Sequence, residues 1–217
     1  MERSRFLRTV EEAVGAATLP GFPALHPGPA LPELAEVDLT PHFIEAFELL
    51  DGIVHHQSPF EVISKVMAER GAEEFLAWDQ EHLPSDGLLA DLADVGYRRF
   101  STSLPADPEG RVPHQMGYMD AAVGVSAAVA AFAESGSVVV TSGRGRSRLA
   151  SVIPAVHVVL VPTDLIFRSL SHWAAQAESP GRLANLMVIT GPSRTGDIEL
   201  ALTKGVHGPG EIHAVLL

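Results

Sequence analysis

The chain has 217 residues, no cysteine, and a formal net charge of −12 from 27 acidic and 15 basic side chains. That length fits one domain of ordinary size with a small appendage, and it buries enough surface to fold without disulfides or metal. Lacking cysteine excludes thiol catalysis, thiolate metal sites and cysteine-ligated iron–sulfur clusters, and an acidic chain without a basic tract repels a nucleic-acid backbone.

In chain order, Glu2, Arg3, Arg5 and Arg8 put charge where a signal peptide needs an apolar core. No apolar run reaches the length of a membrane helix, so a soluble, cytoplasmic protein is expected. Phe6, Leu7, Val10, Ala13 and Val14 recur at helical spacing and predict a helix within residues 1–18. Pro20, Pro23, Pro27, Pro29 and Pro32 make residues 19–39 a linker or extended arm, because proline fixes φ and removes a donor. The body is expected to span residues 40–217. Thr40-Pro41 reads as an N-cap with proline in the first turn, opening a helix to about Leu50 that Gly52 stops. Ser58-Pro59 repeats the signal for a helix ending at Gly71. Glu74–Trp78 reads as a strand, Gly87–Val95 as a helix and Tyr97–Phe100 as a strand.

Farther along, Ala121–Val125 fits either a strand or a helix start, and Ser126–Ala133 fits a short helix. Val138–Thr141 and Val156–Val161 are β-branched runs without alternation, as a strand covered on both faces requires. Pro154 ends a short helix between them. Thr163-Asp164 caps a helix to about Ala177, Asn185–Thr190 is a strand, a short helix opens near Asp197, and Ile212–Leu217 closes the chain as a strand. The alternation predicts an α/β fold with a mostly parallel sheet sandwiched by helices.

Four segments could carry chemistry, all at the ends of buried strands, where α/β proteins bind ligands. In the first, Gly191 and Gly196 free backbone N–H groups, Ser193 and Thr195 add hydroxyls, and Arg194 offers a fork for a carboxylate or phosphate. A plain helix cap, with Arg194 paired to Asp197, explains the same residues. In the second, His207 and Gly208 sit in a tight loop from Gly205 to Gly210, where an imidazole suits acid–base work or simply bonds a loop carbonyl. In the third, Glu134 precedes Gly136 and Ser137 between a helix and a strand, as a nucleophile or base or as a helix-end residue. In the fourth, Arg144, Arg146 and Arg148 alternate with small residues after a buried strand, as an anion site or a solvated loop. The last pattern is neither a P-loop nor a dinucleotide fingerprint. His55 and His56 lack the spacing of metal ligands, so no metal site is expected. His157 and His213 read as structural histidines, and Trp78 and Trp173 as core anchors.

Gly191–Glu199, Gly205–His213, Ala133–Val138 and Ile153–Val161, in this order, resemble the LUD domain, the lactate-utilisation family that includes the LutC/YkgG proteins. The resemblance covers the body from about residue 40 to the end. It implies a fold similar to the NagB/RpiA/CoA-transferase class and a role beside iron–sulfur partner proteins in oxidising L-lactate to pyruvate. It implies no cofactor in this chain, with clusters only in the partner subunits. The strand-end loops, for their part, fit a small carboxylate or phosphate-bearing ligand. Glu134 matches the glutamate that attacks the thioester in CoA-transferase relatives, although Ser135 stands where that motif commonly has asparagine. An autonomous CoA-transferase-like or sugar-phosphate-isomerase-like enzyme using Glu134 is the alternative.

Overall fold

The computed structural model describes residues 3–16, 38–102, 105–176, 185–196 and 202–217. The chain divides into two compact units, Met1–Glu33 and Leu34–Leu217. In the first, the expected helix forms as α1 (Arg3–Ala16). Of the proline-rich linker, residues 19–37 lie outside the described residues.

The second unit opens with α2 (Thr40–Leu49), which buries Phe43 and Phe47. Its N-cap is Leu39 rather than Thr40, because Thr40 N–H donates to the Asp38 carboxylate at 2.9 Å. Gly52 is not the left-handed stop either: Asp51 takes that conformation at φ 63°. Glycine is needed at 52 because a Cβ there would lie 2.3 Å from the Phe47 ring. After β1 (Ile53–His55), α3 (Pro59–Glu69) begins with the expected signal, a complete capping box between Ser58 and Glu61. Gly71 ends it at φ 60°. Next come β2 (Glu74–Ala77), α4 (Leu88–Asp94), β3 (Arg98–Arg99) and α5 (Pro108–Gly117).

The remaining elements are β4 (Val123–Ala127), β5 (Ala130–Phe132), β6 (Ser137–Ser142), β7 (Val156–Val161), β8 (Ile166–Phe167) and α6 (Leu170–Gln176). They are followed by β9 (Asn185–Ile189), β10 (Arg194–Gly196), β11 (Leu202–Lys204) and β12 (Glu211–Leu216). Six strands form an all-parallel sheet in the order β1-β12-β7-β4-β2-β3. The α/β expectation therefore holds. A second, four-stranded sheet, β8-β5-β6-β9, packs into the same core through Ala131, Ala133, Val138 and Val140. Its opposite face holds a smaller core of Ala130, Phe132 and Val139 under Trp173.

Three expected helices differ. Ser126–Ala133 is the end of β4, a turn and β5. Its alanines favour a helix in isolation, but pairing of Ala130–Phe132 with β6 overrides that preference. The helix expected from Thr163 is split into a 3-10 turn, β8 and α6, because Ile166 and Phe167 pair with β5. The helix expected near Asp197 falls on residues 197–201, outside the described residues; on either side of them, Arg194–Gly196 and Leu202–Lys204 pair as antiparallel strands.

Candidate functional site

The two C-terminal glycine loops are knitted together by their backbones. Ser193 N–H donates to Pro209 O at 2.8 Å, and Gly205 N–H donates to Ser193 O at 3.0 Å. Gly210 N–H reaches Ala155 O at 2.9 Å, tying the loop to the start of β7. Gly191 holds φ 92°, and a Cβ there would lie 2.9 Å from Leu50 O, so its loop presses against the end of α2. The result is one wall of a hollow of about 460 Å³ lined by Gly191, Ser193, His207, Gly208, His157 and Ile212, among others. Thus Gly191, Ser193, His207 and Gly208 do meet. They meet at the amino ends of β7 and β12, the edge opposite the one where parallel sheets usually bind ligands.

The other expected residues lie elsewhere. Arg194 donates to Leu50 O at 2.6 Å and pairs with Asp51 at 2.9 Å, so its guanidinium is already engaged. Thr195 lies in β10, opposite Thr203. Glu134 occupies the turn of the β5–β6 hairpin, not a helix end, and its N–H donates to Arg168 O at 3.0 Å. It lines a separate hollow of about 530 Å³ with His42, Glu45, Leu49 and Arg168. Gly136, at φ 60°, seats that turn on α2: a Cβ would come within 2.4 Å of Phe47 N. Ser137 is buried, its hydroxyl 2.8 Å from those of Ser135 and Thr190. Arg144 lines a third hollow, whereas Arg146 donates to the Thr141 hydroxyl at 3.0 Å and Arg148 is exposed at the start of a 3-10 turn. The described residues thus place Glu134, His207 and Arg144 in three hollows with no lining residue in common.

The family model described as LUD domain matches residues 34–217. The chain belongs to the LUD domain family. Among its relatives, the lactate utilization protein C of Shouchella clausii is 31% identical over 143 residues, covering 64% of this chain and 60% of that protein. Those of Halalkalibacterium halodurans and Macrococcus caseolyticus are 30% and 29% identical, and each match covers 69% of this chain. The chain spans less than two thirds of the length of these curated relatives. A crystal structure of a DUF162 family protein from Deinococcus radiodurans superposes with a TM-score of 0.55 at 19% identity. It covers 84% of this chain and 98% of its own, which shows the fold. Among the described residues, no helix is long and apolar enough to cross a membrane.

In this LUD domain the residue that sequence reasoning undervalued is His157. Strand alternation turns it, with Ile212, toward the second sheet, where both line the first hollow. Its Nε2 lies 2.8 Å from Ser126 Oγ, and its Nδ1 is buried without a partner. Burial, assisted by nearby His213, pushes its pKa down to about 4. A serine–histidine contact of this length suggests an activated nucleophile. The site does not support that chemistry: no carboxylate orients Nδ1, a base this weak abstracts few protons near neutrality, and Ser126 is fully buried. His157 instead lines the hollow as a neutral polar group, hydrogen-bonded to the buried Ser126. The signal was present as a histidine in an apolar run, but its partner sits on another strand.

On the sheet's other face, Glu211 and His213 point toward α3. Arg70 bonds the Glu211 carboxylate at 2.5 Å and holds its pKa below the usual range. His213 Nδ1 lies 2.9 Å from His55 Nε2, with the rings stacked 5.1 Å apart. Burial lowers the pKa of both histidines. Among the described residues, no three histidine or acidic side chains are grouped to hold a metal ion.

Proposed function

We propose that this LUD domain serves lactate utilisation as a component without redox centres of its own, supporting the oxidation of L-lactate to pyruvate. The observation that carries the reading is the set of relatives named lactate utilization protein C, about 30% identical over up to 69% of the chain. Oxidising the alcohol carbon releases two electrons and two protons. With no cysteine, the chain cannot ligate a cluster through thiolates. In this reading the electrons go to the iron–sulfur partner proteins that the family resemblance implies. The His157–His207 hollow supports a binding role. It combines a neutral imidazole, the Ser193 side chain and glycine backbone, and none of its lining residues is an arginine or lysine. It suits a small hydroxylated molecule or a partner's side chain.

The test is genetic and biochemical. Deleting the gene should abolish growth on L-lactate while sparing growth on glucose, and the restored, tagged protein should co-purify with cysteine-rich iron–sulfur proteins. Undiminished growth of the deletion strain on lactate would overturn the proposal.

A further inference from the structure

The third hollow lies where the topology itself favours a ligand. From β2 the chain moves outward to β3, whereas from β4, on the other side of β2, it passes by way of the second sheet to β7, farther away from β2. Connections therefore part in opposite directions beside β2, and the crevice outside the carboxyl ends of such strands is the general binding place in open parallel sheets. Asp79 lies two residues past the end of β2, Arg99 ends β3, and Ser101 and Thr102 come just after it. All four line a hollow of about 540 Å³, closed from the second sheet by Gly143, Arg144, Gly145 and Ser147. That size suits a metabolite.

The closing loop is held firmly. Asp79 N–H donates to Gly145 O at 2.7 Å, the His82 ring meets Arg144 O at 3.1 Å, and Gly143 and Arg146 exchange backbone bonds. Gly145 sits at φ 72°, and a Cβ there would lie 2.8 Å from the His82 ring. Arg99 donates to Ala77 O at 2.9 Å and pairs with Asp79. Among the described residues, the Arg144 guanidinium has neither an ion-pair nor a hydrogen-bond partner. Two arginines against one carboxylate leave this hollow net positive in a chain of charge −12. Ser147 Oγ accepts the Leu149 N–H at 3.3 Å, which leaves its own O–H to donate.

We propose that this hollow is a site for a small organic oxyanion, with Arg144 gripping a phosphate or carboxylate group and Ser147 and Thr102 donating beside it. A guanidinium fork matches either group in a bidentate fashion. The proposal is independent of the lactate reading and can stand or fall without it.

The experiment is calorimetric titration of the full chain, at matched ionic strength, with pyrophosphate and with citrate. At least one should bind saturably at a single site, and which of them does so separates a phosphate-bearing from a polycarboxylate ligand. Arg144→Ala should weaken binding at least tenfold. Arg148→Ala makes the same charge change outside the hollow and should stay within twofold of the parent. Absence of saturable binding for both probes, or equal weakening by the two variants, overturns the proposal.

Discussion

His157 carries an imidazole into a fully buried layer, with Ser126 beside one nitrogen and nothing beside the other. Removing a charge from water is costly, so the folded protein keeps this ring neutral. Its pKa falls from an ordinary 6.5 to about 4. Between those values the unfolded chain binds the proton and the folded chain does not. Stability is therefore complete above about pH 6.5 and is lost as the pH drops toward 4, at which point the loss levels off. The loss from this group between pH 7.5 and 5 is about 2 kcal/mol, and the lowered pKa values of His55 and His213 act in the same direction. Urea unfolding at the two pH values should show it, and His157→Gln should remove roughly that much of the pH dependence, whatever its effect at pH 7.5. An unchanged slope in the variant would show that this ring is not the group responsible.

Among elements, the junction of α2 with the loop after β9 illustrates how a functional-looking residue can be structural. The last carbonyls of a helix lack partners within it, and a basic side chain is a common solution. Arg194 supplies that donor to Leu50 O and pairs with Asp51, while Gly191 keeps the loop close enough for both contacts. Both side chains of the ion pair are partly exposed, so Arg194→Ala should cost only about 1 kcal/mol, seen as a lower denaturant midpoint with an unchanged slope. Arg194→Lys should recover part of it. An unaltered midpoint in the alanine variant would leave Arg194 available for another role. What the sequence revealed at this scale was local. The Ser58–Glu61 box and Gly71 mark α3 because every group involved lies within a turn of the helix end. The strand identity of Ala130–Phe132 was hidden because it depends on β6 and β8, and β8 lies about 35 residues away. Arg194's partners were hidden for the same reason, as Leu50 lies 144 residues earlier and Asp51 is next to it.

For the whole molecule, sheet order decides which motifs can cooperate, and sheet order is not a local property. Four C-terminal residues meet because β9 and β12 bring their loops together, whereas the β5–β6 turn and the Arg144 loop leave the second sheet toward other hollows. The parallel sheet, the second sheet and both described cores are built from residues after Leu34, the point where the second compact unit and the family match begin. A unit with its own core and closed sheet connections should fold alone. The fragment Leu34–Leu217 should therefore unfold cooperatively, with a Tm within about 4 °C of the full chain, since a shift of that size corresponds to about 1 kcal/mol for a domain of this length. Calorimetry of the two proteins side by side makes the comparison. A larger fall in Tm, or loss of a single transition, would mean that residues 1–33 contribute to the stability of the LUD domain rather than merely preceding it.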